Sequence, residues 1–480
     1  MRFFIQFSAI LIFGFQIFIL DSFAITPDLK IQYEKYLKVT LHSMDTMRGA
    51  NGFIVDKAKV IHDKNNVDKL QILNPNTSMT NVALDLIIQA QLAQQSQNAK
   101  EVLLKINRIL ETLKQVSYHK ASGLFFSWYS TNESNIAISK NISSIDNLHI
   151  ALALFTLKET IQDVEIKAKA SDLFKRMDFS MFYDDQTGLL FGNYIFQNDQ
   201  WVNETYHYKH LGSEARILYP IGWSLGLFKK LYSKMDFYEL ALSKMYMEFF
   251  EWENQGQKQQ IMKTWDGGAF QLFLPQLLIN EDNYSTPLGD SFKAYSDFII
   301  AKGVLENIPL PAGYSASNYG DNSGGFESIP EYNGHSGSPE LVSDFNSDFK
   351  KYEFRKNWDL SVTPHAIMLA ATANPTKYAP ILQKSEKIQD DQLFLYNNTF
   401  GWLDGVHVKG KYTGKIVPII LSLDQGMLAL SLMKILSQDS STLSARALQN
   451  HMANLEIKRF YKLLNQKIVQ LPFPNSKKIP

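Results

Sequence analysis

The chain has 480 residues, 45% hydrophobic and 13% aromatic, and its 48 basic side chains balance 48 acidic ones. That composition excludes disorder and low-complexity filaments, and zero net charge without a dense Lys/Arg window removes the footprint of a nucleic-acid binder. The lack of cysteine excludes thiolate nucleophiles, disulfides, Cys-ligated zinc and iron–sulfur clusters, so any chemistry runs on carboxylates, His, hydroxyls or Lys.

In chain order, Arg2, an apolar run from Phe3 to Leu20 and the small-residue ending Ser22-Phe23-Ala24 come first. They predict a secretory signal over 1–24, cleaved after Ala24, and hence a periplasmic or secreted protein without stable membrane insertion. An uncleaved anchor is the alternative, because the run is nearly long enough to span a bilayer. An exported enzyme has no access to ATP or nicotinamide pools, so no cofactor is expected.

Apolar residues at helical spacing then predict helices over 29–47, 82–92 with Thr77 and Ser78 as caps, 102–113, 144–157, 165–177, 212–232, 235–252, 268–279, 287–305, 363–373, 378–388, 424–436 and 442–463. These helices fall in sequential pairs, separated by loops rich in Gly, Asn, Trp, Tyr and Asp. The stretch 188–194 alternates as a β-hairpin would. No fixed-period repeat marks a solenoid, and no Pro/Ser-rich hinge divides residues 25–480. The expectation is an all-α chain: one (α/α)6 barrel, a toroid of helical hairpins with loops and short β-hairpins along one rim.

Motif searches exclude as much as they find. There is no H-E-x-x-H and no EF-hand loop, and the ten histidines are scattered, so no metal site is expected. Gly410 to Lys415 lacks the spacing of a Walker loop, and Gly334-His335-Ser336-Gly337-Ser338 misplaces the glycines of a nucleophile elbow.

Carboxylates on apolar stripes remain. Glu214 opens a long apolar segment and shares a helical face with Ile217, Leu218, Ile221 and Leu225. Burial would raise its pKa, as a general acid needs; a first-turn Glu complementing the helix dipole is the structural alternative. Asp146 follows Ser143 at the spacing of a capping box, so the pattern leaves it between a cap and a site residue. Trp265-Asp266-Gly267-Gly268 sets an aromatic, an acid and two flexible glycines before a helix, suited to hydroxyl recognition and stacking on a sugar face, or to an N-cap beside a core Trp. Gly401-Trp402-Leu403-Asp404-Gly405 and Leu423-Asp424-Gln425-Gly426 again put an acid beside glycine at element boundaries. Paired carboxylates, rim aromatics and no cofactor motif meet the requirements of glycoside hydrolysis.

Several short blocks, taken in order, resemble the glycoamylase-like family. This family contains endo-β-1,2-glucanases and the processing domain of cyclic β-1,2-glucan synthases, alongside related exported bacterial proteins of unknown function. The blocks are Thr77-Ser78-Met79-Thr80-Asn81, Ser143-Ser144-Ile145-Asp146-Asn147, Ser213-Glu214-Ala215-Arg216, Thr264 to Phe270 with Pro275, Ser315-Ala316-Ser317, Val362-Thr363-Pro364-His365, and Tyr396 to Asp404 closing on Asp424-Gln425-Gly426. The resemblance implies an (α/α)6 barrel acting on β-glucan or a related envelope polysaccharide. Glu214 would be the acid and Asp146 a cleft acid that binds sugar or assists water. Trp265, Asp266, Tyr314, His365, Trp402, Asp404 and Asp424 would contact the poly- or oligosaccharide. His365 departs from the family, which more often has an aromatic or another residue there, and 317–345 is unusually rich in Gly, Ser and Asn. The expected function is an exported glycoside hydrolase using carboxylate acid/base catalysis; the alternative is a non-catalytic glycan-binding or envelope-assembly protein on the same barrel.

Overall fold

Two kinds of helix alternate along the chain, and their sequences already tell them apart. The computed structural model describes residues 25–471 other than 63–67, 96–98, 133–135, 232–236, 309, 311–337, 345–359, 391–392, 410–412 and 438–439. The expected signal over 1–24, Tyr314 and most of 317–345 lie outside the described residues. The helices are α1 (Pro27–Thr46), α2 (Met79–Gln95), α3 (Ala99–Gln115), α4 (Ser144–Thr160), α5 (Val164–Arg176), α6 (Leu218–Ser224), α7 (Phe237–Lys244), α8 (Ala269–Ile279), α9 (Thr286–Leu305), α10 (Pro364–Ala371), α11 (Pro375–Ser385), α12 (Ser422–Leu436), α13 (Leu443–Gln449) and α14 (Ala453–Val469). Helices α2, α4, α8, α10 and α12 are buried on nearly every side, as largely apolar helices are, and the acid that α2 buries, Asp85, pairs with Arg48 at 2.6 Å. Helices α3 and α5 instead bury one stripe, Val102-Ile106-Ile109-Leu113 and Ile166-Ala170-Leu173, and keep a charged outer face.

The buried helices close on themselves. Helix α2 packs on α4, α4 on α6, the 3₁₀ turn before α6 on α8, α8 on α10, α10 on α12, and α12 back on α2. Around this cycle α1 backs α12, α3 backs α2, α5 backs α4, α14 backs α6, and both α9 and α11 back α10. Helix α13 lies across α2, α4 and α8. Its Thr442 and Ser444 hydroxyls donate to the last carbonyls of α8, Leu277 and Leu278, each at 2.8 Å. The Lys434 Nζ at the end of α12 donates to Asn280 Oδ1 just past α8 (2.6 Å). The C-terminal end of the cycle is thereby sealed, and the N-terminal ends of its helices form the opposite rim. Short strands lead into that rim: Asn76–Ser78, Asn141–Ser143 and Ile419–Leu421 run directly into α2, α4 and α12.

Four elements differ from the expectation, the first being the helix expected over 442–463, which is two helices, Leu443–Gln449 and Ala453–Val469. The helix expected over 235–252 stops at Lys244, and Phe249–Asn254 pairs with Gln257–Met262 across Gln255-Gly256, both at positive φ. Phe250 and Trp252, two residues apart on one strand face, meet Phe298 at 5.3 and 5.5 Å, so sheet alternation wins over the helical period. The helix expected over 212–232 is a 3₁₀ turn, Glu214–Ile217, followed by the short α6; Pro220 has no N–H to bond the Arg216 carbonyl, which disfavours a regular α-helical start. The hairpin expected at 188–194 lies further on, Asn193–Gln197 pairing with Gln200–Asn203 across Asn198-Asp199.

Arg216 fastens the 3₁₀ turn in the core. Its guanidinium makes a bidentate pair with Glu281 (2.9 and 2.6 Å) and donates to the carbonyls of Ser213, Gln271 and Leu272. The Tyr461 hydroxyl donates to Glu281 Oε1 (2.7 Å), and both ionic side chains are fully buried. Removing one partner strands the other charge, so Glu281→Gln is expected to cost about 3–5 kcal/mol in urea unfolding at pH 7, and the double change Arg216→Met/Glu281→Leu less than either single change.

Candidate active site at the helix N-termini

Each helix of the inner cycle brings a polar residue to the rim in or just before its first turn. Thr80 does so for α2, Asp146 for α4, Glu214 for the 3₁₀ turn before α6, Asp266 for α8, His365 for α10 and Asp424 for α12. The positive end of a helix favours acids there.

Glu214 is half-buried, and Ser213 Oγ lies 3.2 Å from its Oε2. Burial holds its carboxyl above the usual range and Asp266 adds to this, while Ser213 and Arg216 pull the other way. Asp146 is also half-buried. Ser143 caps α4, its Oγ accepting from the Asp146 N–H (3.2 Å). The reciprocal half of a capping box is absent, because the Ser143 N–H donates to Ser127 Oγ (3.1 Å). The Asp146 carboxylate accepts instead from the Thr80 hydroxyl (2.5 Å), whose oxygen is also 3.0 Å from His149 Nδ1. Burial raises the Asp146 pKa, against the hydroxyls of Thr80 and Ser143. Tyr206 and Tyr208, edge-to-face with ring centres 5.8 Å apart, tie the two acids to one site. Both phenols feel the charges of Asp146 and of Glu214, and burial foremost pushes Tyr206 up to about 12.

Across the cycle His365, Asp404 and Asp424 form a buried group. Asp424 lies in hydrogen-bonding reach of Asp404, and burial pushes it up to about 7, with Asp56 adding a like charge. His365 Nδ1 is 3.1 Å from Asp424 Oδ2 without hydrogen-bond geometry, and desolvation drags its imidazole down to about 4, so it is neutral at pH 7. The three donor atoms, all within 4.8 Å of one another, are the set among the described residues with metal-ligating chemistry. The positive ends of α10 and α12 oppose a cation there, and the arrangement suits two carboxyls sharing a proton.

Trp265 is half-buried and meets His210 edge-on at 5.0 Å. Asp266 accepts from the Gly268 N–H (2.8 Å), so the backbone donor that the sequence left for a ligand is already used. A Cβ on Gly267, at φ +74°, would come within 2.4 Å of the Ser338 carbonyl oxygen, and only glycine fits that turn. Trp402 does not face the rim. It is fully buried, with Tyr396 at 4.6 Å and Tyr36 at 5.4 Å, and its carbonyl accepts from Gln425 Nε2 (3.0 Å) to hold the first turn of α12.

In fold the chain is similar to the endo-β-1,2-glucanase of Talaromyces funiculosus in complex with sophorose, at TM-score 0.68, 11% identity and 94% coverage of each chain. It is similar to the endo-β-1,2-glucanase of Chitinophaga pinensis in complex with sophorotriose and glucose, at TM-score 0.62 and 11% identity over 91% of this chain and 98% of that one. A glucoamylase-like protein of Bacteroides uniformis gives TM-score 0.64 and 13% identity over 91% of this chain and 98% of that one. The chain shares their fold. No protein-family model matches it, and no curated protein matches it in sequence.

Sequence reading missed Thr80 and His149 as a pair, Tyr206 and Tyr208, and Asp56, which accepts from Asn81 Nδ2 (3.0 Å) and lies near Asp424. The run Tyr206-His207-Tyr208, an aromatic loop just before Glu214, was the available signal.

Because the folded pKa of Asp424 lies above its unfolded value, folding binds a proton, and stability is lost as pH rises from about 4 towards and through about 7. Asp424→Asn escapes that loss. Its melting temperature is expected to gain on the parent protein between pH 5 and pH 8, read by calorimetry across that range.

Proposed function

We propose that the closed cycle of helices is the inner wall of an (α/α)6 barrel and that the chain is a glycoside hydrolase acting on a β-glucan, with β-1,2-linked glucan the first substrate to test. The observation that carries this reading is Glu214, a half-buried carboxyl whose pKa is raised by burial and by Asp266, at the same rim as a second carboxyl group. The fold likeness to proteins named as endo-β-1,2-glucanases supports it. Export belongs to the same reading and is supported by the leader-like first 24 residues; no described helix is long and apolar enough to cross a membrane.

The chemistry follows from the ring order. The 3₁₀ turn bearing Glu214 and helix α12 bearing Asp424 stand three places apart in a cycle of six, so their acids approach a bound sugar from opposite sides. Glu214 gives its proton to the leaving glycosidic oxygen as the C–O bond breaks. Water attacks the anomeric carbon from the other side and passes its proton to the Asp404–Asp424 pair, which inverts the anomeric configuration. Asp146, beside Glu214, holds the sugar. Both limbs of the pH–rate profile move towards neutrality: activity falls on the acid side as the Asp404–Asp424 pair protonates and on the alkaline side as Glu214 loses its proton.

Glu214→Gln is expected to lower kcat on β-1,2-glucan by about a hundred- to ten-thousand-fold while leaving glucan binding in place, measured by reducing-end release and calorimetry. Proton NMR of the first products should show the inverted anomer. Binding by the parent protein without any new reducing ends would favour the non-catalytic glycan-binding reading.

A further inference from the structure

We infer that Thr80 and His149 brace Asp146 as an ionised hydrogen-bond acceptor for a donor hydroxyl of the bound sugar, so that this trio sets affinity for the glucan rather than bond cleavage. The sugar half of this inference rests on the proposed function; the brace does not.

Thr80 stands in the first turn of α2, and His149 lies three residues beyond Asp146 on the same face of α4. The single Thr80 hydroxyl lies between Asp146 Oδ1 at 2.5 Å and His149 Nδ1 at 3.0 Å, and it has one proton to give. Two directions satisfy the chain. With Asp146 ionised, the Nδ1–H of His149 donates to Thr80 and Thr80 donates to Asp146, leaving His149 Nε2 a bare lone pair. With Asp146 protonated at Oδ1 both bonds reverse, and the imidazole proton must sit on Nε2. That nitrogen is buried and finds no hydrogen-bond partner among the described residues. An orphaned buried N–H is rarer than an orphaned acceptor, so the packing around Nε2 selects the direction in which Thr80 donates to Asp146, and a donated hydrogen bond favours the carboxylate over the neutral acid.

The remaining surroundings oppose that charge. Burial raises the Asp146 pKa, and among the described residues no Lys or Arg is found acting on it. The groups facing it are Thr80 from α2, Ser143 and His149 from α4, and the phenols of Tyr206 and Tyr208 from the loop, with Glu214 beyond them. Desolvation drags His149 down to about 3, so it supplies an N–H and no charge. Hydroxyl bonding is what favours the carboxylate. An ionised carboxylate has only lone pairs to offer, and its half-exposed side at the rim therefore reads a donor O–H.

Three variants test this in the full-length mature chain: Thr80→Val, which keeps shape and loses the hydroxyl; Thr80→Ser, which restores it; and His149→Phe, which keeps a ring and loses the N–H. Near-ultraviolet circular dichroism checks the fold of each. Carboxyl-carbon NMR on protein with ¹³C-labelled Asp, with the Asp146 signal assigned by its loss in Asp146→Asn, gives the titration without any substrate. The expected result is an Asp146 pKa higher by about one unit, a tenfold change in ionisation, in Thr80→Val and in His149→Phe, with Thr80→Ser close to the parent. With sophorotriose as probe, Thr80→Val should weaken binding about tenfold, a difference of about 1.4 kcal/mol, and raise KM for β-1,2-glucan likewise, with kcat little changed. Identical titrations in the parent and in whichever of Thr80→Val and His149→Phe folds would overturn the brace. A shifted titration in a protein that binds no sophorotriose would uphold the brace and overturn the sugar reading. A fall in kcat at unchanged KM would move Asp146 into the bond-breaking step and overturn its assignment to affinity.

Discussion

A cycle of helices that closes on itself has two ends, and sealing one makes the other a site. Helix α13 and the Lys434–Asn280 bond occupy the C-terminal end, and the helix N-termini with their polar residues lie at the other. Everything polar at the rim depends on this. The walls are apolar and lower the local dielectric, while the helix ends carry partial positive charge that draws acids to their first turns. The two effects pull a carboxyl in opposite directions: desolvation raises its pKa and hydrogen bonds from caps and hydroxyls lower it.

Which effect wins differs from one acid to the next, and that difference turns a row of similar residues into distinct functional groups. At Glu214 a backbone N–H, the Ser213 hydroxyl and Arg216 pull the pKa down, and burial, with Asp266 adding to it, outweighs them. Asp424 lies buried beside a second carboxyl, Asp404, and a neutral imidazole, and burial foremost raises its pKa, to about 7. Asp266 spends one oxygen on the turn that starts α8. Asp146 is relieved of capping by Ser143 and is held by Thr80. Four acids at four helix starts thus carry four environments.

Much of this was legible beforehand, and the boundary is instructive. The helical periods and their sequential pairing were readable in the sequence, and the apolar face that Glu214 shares marked it as a candidate site acid beside the alternative of a first-turn charge complementing the helix dipole. Trp402 went the other way. An aromatic between glycines near an acid reads as a sugar platform, yet its ring fills the core against Tyr36 and Tyr396, since a local pattern does not say which side of a strand faces inward. Pro220 and the Asn254-Gln255-Gly256 turn were also in view, and each overrode a helical period through backbone chemistry.

The sequence by itself determined the helical character, the pairing of successive helices, the chemistry left once thiols were excluded, and Glu214 and Asp146 as candidate acids, each with a dipole or capping role still open. These are local properties, set by period and composition. Only the tertiary structure decided that Thr80, His149, Tyr206, Tyr208 and Asp56 join them, that Asp404 and Asp424 become a pair beside His365, and that Trp402 is excluded. Those outcomes require helices distant in the chain to meet around a closed ring, and the side-chain distances that assign each proton exist only once it has closed.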